Sequence, residues 1–213
     1  MKLLLLRWAL FFFGLCVFSL GITLTIKFQH LGLHPWDVLT VGLYDKVGLS
    51  IGTWSIIIGI VLIIVSWILD KSYIKIGTFL NAFIVGLFVD LFLWLDFLPS
   101  ATQTWTDYIF ILLGIVIMGI GGGIYNAGGV GSGPRDGFML SISDKLSVPI
   151  SRVRIITETS VLLLGILIGG PVFIFTFVFT FIQSPIFQFV YTRLVQYVLH
   201  IQQRQEKKRA KQV

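Results

Sequence analysis

Charge is scarce in this chain: only 12% of its 213 residues are Asp, Glu, Lys or Arg, about half of the roughly 25% usual in soluble domains. That scarcity excludes a soluble globular protein. Together with 56% hydrophobic residues and a mean hydropathy of +0.93 it also excludes disorder. Cysteine occurs once, at Cys16, so there is no disulfide scaffold. Leu15 stands where a lipoprotein needs a small residue, and Cys16 reads as an ordinary buried thiol. His30, His34 and His200 lack ligand-like spacing, so no metal site is expected. The glycine-dense stretch 119–133 has no G-K-[ST] and no intact G-x-G-x-x-G, which removes the nucleotide-loop reading; its glycines suit close helix packing and an unwound chain. No Ser/His/Asp or Cys/His set is recoverable either. No catalytic residue, cofactor or nucleic-acid partner is implied, and an enzyme is not expected.

What the chain does have is long apolar runs. A helix needs about 20 apolar residues to cross roughly 30 Å of hydrocarbon. Six stretches qualify: 3–26, 51–69, 74–95, 108–125, 150–169 and 172–191. The last has Phe at every second position from Phe173 to Phe181, but an open strand in lipid would leave its backbone unsatisfied, so helix is expected there too. Lys2 and Arg7 precede a run too long for a signal peptide and without an A-x-A-like site, which predicts an uncleaved first span. With the N-terminus inside, cytoplasmic segments hold Lys2, Arg7, Lys71, Lys75, Arg135, Lys145, Arg152, Arg154, Arg193, Arg204, Lys207, Lys208, Arg209 and Lys211, and the outside keeps Lys27 and Lys46. This asymmetry predicts six spans with both termini cytoplasmic. Trp36, Trp54, Trp94 and Trp105 then fall near the outer boundary, and Trp8 and Trp67 near the inner one, as interfacial anchors.

The sequence also matches itself without a gap at an offset of 99 residues. Pro35-Trp36-Asp37 aligns with Pro134-Arg135-Asp136, Asp45-Lys46 with Asp144-Lys145, and Gly32 with Gly131. Three spans per copy would turn the second copy upside down, and the charge census agrees. The expected architecture is therefore all-α, a single transmembrane domain over 1–201 with inverted repeats at about 3–98 and 102–197, followed by a basic cytoplasmic tail, 202–213. Inverted three-plus-three repeats are shared by many transporters, although architecture alone does not establish transport.

The P-x-D segments predict helices over Pro35–Val47 and Pro134–Leu146, ended by Gly48 and Ser147. Proline suits the first helical position, and Asp two residues later sits in the first turn, favoured by the helix dipole. Each follows an eight-residue linker, 27–34 or 126–133, which could reach the bilayer midplane at about 3.3 Å per residue. Re-entrant helices and helices lying flat on the membrane both satisfy the backbone rule.

The G-L-H-P-W-D run at 32–37, the G-S-G-P-R-D-G run at 131–137, the Arg-containing start and Glu158 of the fifth span, and the repeat spacing resemble the YczE-like branch of the YczE/YyaS/YitT group of bacterial integral membrane proteins. His34 stands where many relatives carry Gly. The resemblance covers nearly the whole chain and implies a multi-pass plasma-membrane protein of a Gram-positive bacterium. It speaks to topology and location rather than to substrate.

Ionisable residues inside spans are functional candidates by default. Glu158 and Arg154, at i,i+4, are either a coupled carboxylate with its partner or an intrahelical ion pair that makes the charge tolerable. Asp37 and Asp136 either face a cavity or cap their helices. Arg135, matched by Trp36 in the first copy, is an anion contact or another topology signal. Asn81 and its repeat mate Thr180, with Thr176, Gln183 and Gln188, suit interhelical hydrogen bonding. Asp90 is expected to snorkel outward, and Asn126 opens the second linker. The substrate- or ion-binding set is therefore Asp37, Arg135, Asp136, Arg154, Glu158, Asn81 and Asn126. The leading expectation is a small-molecule or ion transporter with its site between the repeats. The alternative is a non-transporting regulator or scaffold that meets a cytoplasmic protein partner through the basic tail. The lipid bilayer is the one partner common to both, and a homo-oligomer is left open.

Overall fold

In a computed structural model, which describes residues 2–70, 74–148 and 150–210, regular structure among the described residues is helical. Eight α-helices follow in order: α1 (Lys2–Lys27), α2 (Pro35–Val47), α3 (Ile51–Leu69), α4 (Ile76–Leu95), α5 (Thr106–Ala127), α6 (Pro134–Leu146), α7 (Ile150–Ile168) and α8 (Ile174–Ala210), with a 3-10 turn at Gln29–Leu31 before α2. Lys71 and Lys211 lie outside the described residues, as do the side chains of Thr180, Lys207, Lys208 and Arg209. Among the described residues five helices, α1, α3, α4, α5 and α8, are long and apolar enough to cross a membrane. Helix α7 matches α3 in length, at 19 residues each, but carries Arg152, Arg154 and Glu158, which dilute its hydropathy.

Local chemistry explains where the elements end. Ser50 caps α3 by accepting from the Thr53 N–H. Helix α5 begins at Thr106, ahead of its apolar run, because the Asp107 carboxylate accepts from the backbone N–H groups of Thr102 and Gln103 at 3.1 and 2.8 Å and folds the preceding turn onto the helix start. It runs on through Ala127, so the second linker is shorter than expected. Gly48 and a left-handed Ser147 terminate α2 and α6. Helix α8 passes through Pro185 and continues to Ala210, so the described part of the basic tail extends the last helix.

The centre of the molecule is an antiparallel pair, α1 against α5. Small residues set their separation: a Cβ on Gly14 would lie 2.3 Å from the Tyr125 backbone nitrogen, and one on Gly121 2.3 Å from that of Phe18. Phe11, Leu15, Ile111, Ile115 and Met118 are fully enclosed along this seam. In lipid such burial stabilises through dense packing rather than through removal from water. Cys16, by contrast, is only partly buried. Helix α8 covers the other side of α5, and α4 packs on both α1 and α3.

The short helices exchange partners: α2 packs on α7 and α6 packs on α3. The start of α1 and the later part of α8 lie together, since the Arg7 guanidinium donates to Gln202 at 3.0 Å. At the opposite end, Lys27 pairs with Asp96 and donates to the Leu98 carbonyl at 3.0 Å. Trp94 and Trp105 are exposed, as anchors would be, but Trp36 is not: it is 3% exposed inside an apolar cluster with Leu62 and Val161. Its position next to a proline-led helix start, which turns inward, overrides the anchor expectation. Asp90 likewise does not snorkel. It accepts from Ser50 Oγ and from the Gly52 N–H (2.8 Å), joining α4 to the start of α3.

Candidate functional site

Both short helices start inside the bundle and end at its surface. In α2, Pro35 through Val38 are buried while Tyr44 and Val47 are exposed; in α6, Pro134 and Gly137 are buried while Leu146 is exposed. Their first turns face each other. Arg135 Nη2 donates to Asp37 Oδ1 at 3.3 Å, bridging residues 98 positions apart, and its guanidinium lies 5.3 Å from the centre of the Trp36 ring. Asp37 is 1% exposed. A buried carboxylate of this kind is costly unless paired, and the guanidinium with its aromatic support is the pair.

A second ion pair follows on the same wall. Arg154 Nη2 donates to Asp136 Oδ1 at 3.4 Å, and Arg154 Nε lies 4.0 Å from Glu158 Oε1. The intrahelical Arg154–Glu158 contact foreseen from i,i+4 spacing is thus present, but the closer partner of Arg154 is Asp136 on α6. His34 joins from the chain before α2. Its Nδ1 accepts from the Trp36 N–H at 3.4 Å, which leaves the ring proton on Nε2, 4.0 Å from Glu158 Oε1. Phe179 stands edge-on to the imidazole at 5.2 Å. The Tyr125 hydroxyl and Asn81 stand together at the α6 start, where a Cβ on Gly133 would lie 3.1 Å from the hydroxyl and 3.3 Å from Asn81 Oδ1.

These groups surround a cavity of about 610 Å³. Its polar wall has His34, Arg135, Asp136, Arg154, Glu158 and Asn81; Phe18, Met118 and Phe187 are among its apolar side. A second space of about 350 Å³, reached past Asp136 and Arg154, is lined by Lys75, Asn126 and Tyr191. Of the seven residues singled out from sequence, Arg135, Asp136, Arg154, Glu158 and Asn81 line the main cavity. Asp37 stands behind Arg135. Asn126 faces the smaller space and donates to its own helix at the Gly122 carbonyl, 3.0 Å. Gln183 and Gln188 line the cavity, whereas Thr176 accepts from the Leu33 N–H at 3.1 Å and fixes the chain before α2.

His34, Trp36 and Tyr125 are the members that sequence reasoning missed. For His34 the one signal was its place immediately before the P-x-D helix, the N-cap position. Tyr125, at the end of a span, offered none. Among the described residues no cluster of His, Cys, Asp or Glu could hold a metal ion.

The fold and site define a class: a helical membrane protein with an ion-paired polar centre and a central cavity. Residues 5–192 match the family of unknown function DUF6198, and the chain belongs to that family. It is 37% identical over 170 residues to the uncharacterized membrane protein YczE of Bacillus subtilis (strain 168), covering 79% of this chain and 78% of that one. An uncharacterized protein of Haemophilus influenzae is 34% identical over 177 residues, 83% of this chain and 79% of its own. The uncharacterized protein YyaS of Bacillus subtilis is 33% identical over 162 residues, 75% of this chain and 79% of its own. No solved structure matches the chain.

Proposed function

We propose that the protein transports a small molecule or ion through a site between two inverted three-span repeats, crossing the plasma membrane six times with both termini cytoplasmic. The observation that carries this reading is the meeting of two half-helix starts beside a cavity, tied by Arg135 and Asp37 and flanked by Arg154, Asp136 and Glu158. Ionisable groups in such a place are expensive and are retained where they serve a pathway. Half-helices that begin within a bundle present free backbone groups to cargo.

Inversion draws support from packing as well as from sequence. The offset of 99 pairs Leu62 with Val161 and Leu39 with Phe138, and all four meet in one apolar cluster. The same offset pairs α1 with α5, which run antiparallel, and pairs the α2–α7 contact with the α6–α3 contact. Rocking one repeat against the other would carry the site between the two membrane faces. Purified protein in liposomes is expected to move a solute down its gradient, and Glu158→Gln is expected to slow that flux. No flux or binding across a broad solute panel, with an intact cellular phenotype for Glu158→Gln, would remove the proposal.

One observation favours a second reading. Helix α8 continues to Ala210, well past its apolar part, and so offers a projecting basic handle to a cytoplasmic partner of a non-transporting regulator. Deleting 202–213 separates the two. Lost function with normal insertion supports the partner, and unchanged function supports transport.

A further inference from the structure

The central cavity of about 610 Å³ and the smaller space of about 350 Å³ are distinct, yet among the described residues four line both: Asp136 and Met139 on α6, Arg154 on α7 and Phe187 on α8. These side chains form the partition between the two. Beyond it, the smaller space is lined by Lys75 and Gly129, both exposed, and so reaches the surface. A solute leaving the central cavity on that side has to pass between α6, α7 and α8.

Three members of the partition are held in place. A Cβ on Gly122 would lie 3.0 Å from the Phe187 ring, so that ring is seated against α5. Met139 is buried, and Asp136 sits in the first turn of α6 on a short side chain. Arg154 differs: its long side chain is 38% exposed and reaches from α7 to Asp136 Oδ1 at 3.4 Å. Its Nε is buried and has no hydrogen-bond partner among the described residues, although Glu158 Oε1 lies 4.0 Å away, one turn further along the same helix. At that distance the charges attract, but no hydrogen bond forms, and a buried donor left in this way is costly. The guanidinium therefore makes one long bond to a neighbouring helix and has a second carboxylate just beyond reach on its own.

We propose that Arg154 is the moving arm of a gate between the two spaces, swinging from Asp136 on α6 to Glu158 on α7. The proposal rests on the reading of the cavity as a transport site. On Asp136 the arm spans the gap between α6 and α7 and keeps the spaces apart. On Glu158 it lies along its own helix and joins them into one route toward Lys75. Each position leaves the guanidinium paired, so opening strands no buried positive charge. Leaving Asp136 costs little, because that carboxylate is partly exposed and water entering behind the arm solvates it. Arrival at Glu158 gives the Nε donor its acceptor.

The test reads solvent access and needs no solute. Ser55 lines the central cavity and not the smaller space. Ser55→Cys is made in a Cys16→Ser background, and its rate of labelling by a membrane-impermeant maleimide is followed in inside-out vesicles, which present the Lys75 side. Asp136→Asn weakens the hold of the closed position and is expected to raise the rate about two- to fivefold; Glu158→Gln weakens the open position and is expected to lower it by a similar factor. Opposite signs set a gate apart from general loosening, which raises both rates. Lys75→Cys, beyond the gate, is expected to label alike with and without these changes. Variants are compared only in preparations with wild-type elution and melting profiles, and Asp136→Ser and Glu158→Met stand in where the isosteric changes do not fold. Any other pattern, whether both rates rise, both fall, neither changes or the signs reverse, overturns the gate. That result leaves the transport reading to the liposome flux, so the two fail separately.

Discussion

The starts of α2 and α6 share a Pro-x-Asp frame but not an environment. Asp37 is sealed at 1% exposure, while the Asp136 side chain is 30% exposed. The first is capped by His34 and covered by Trp36; the second is uncapped and opens on the cavity. The same contrast extends outward. Helices α3 and α4 are locked by Gly52 against Gly86, with Asp90 accepting from Ser50 and Gly52. The offset of 99 puts Pro185 and Phe189 at the positions of Gly86 and Asp90. Helix α7 lies on α2 and α8 on α5, with cavity-lining side chains on both. The two Pro-x-Asp starts thus differ in closure: Asp37 is sealed behind Arg135, and Asp136 stays partly accessible beside the cavity.

The sharpest way to break that comparison is to remove each arginine in turn. Arg135→Met leaves Asp37 buried without its guanidinium and is expected to cost about 4 kcal/mol. Arg154→Met leaves Asp136 partly solvated, its side chain 30% exposed, and is expected to cost about 1 kcal/mol. Thermal melting in one detergent compares them directly. Adding Asp37→Asn to Arg135→Met should restore most of the loss, because the orphaned charge has gone. Equal losses for the two arginine variants would show that the two ion pairs are energetically alike, contrary to their exposures.

Much of this scaffold is legible in the amino-acid sequence alone. The bounds Pro35–Val47 and Pro134–Leu146 follow from proline at the first helical position and from Gly48 and Ser147 at the end, which are local signals. The packing use of 119–133 is legible too, because Gly119 and Gly123 recur at the spacing that lets α8 approach. Arg135 and Asp37 can each be singled out as isolated charges. Their pairing cannot, since nothing local links residues 98 positions apart. Trp36 is misplaced for the same reason: an indole beside a membrane boundary and one under a guanidinium have the same sequence context. Tyr125 becomes a site residue only through tertiary packing, which sets the end of α5 beside the start of α6, so that a Cβ on Gly133 would lie 3.1 Å from its hydroxyl.

The next largest effect concerns the α3–α4 lock. A Cβ on Gly52 would lie 2.1 Å from the Gly86 carbonyl oxygen, backbone that cannot move aside without parting the helices. Gly52→Val is expected to cost about 3 kcal/mol and to raise labelling of a cysteine placed at Ser50, in a Cys16→Ser background. Gly48→Ala serves as the control, since its position is open although its φ of +88 carries a smaller backbone penalty. A Gly52→Val protein that melts like wild type would mean that this seam does not set the separation of α3 and α4.

The smallest expected effect falls on the difference that separates the two half-helices most directly. His34→Gly gives α2 the N-cap that α6 has. The lost cap bond is long, 3.4 Å, and exchange of a capping side chain for glycine costs only a few tenths of a kcal/mol. Loss of the ring against Phe179, and of its approach to Glu158, adds to this, for about 1 kcal/mol in all. His34→Asn separates the contributions, because asparagine can cap the turn but cannot reach Phe179 or Glu158. If His34→Asn recovers part of the stability lost in His34→Gly, capping contributes to the stability of the α2 start. If the two variants melt together below wild type, the imidazole acts through Phe179 and Glu158 alone. If neither differs from wild type, the contrast between the half-helices rests on the Arg135–Asp37 pair, and a bare glycine start is tolerated wherever a buried ion pair anchors the turn behind it.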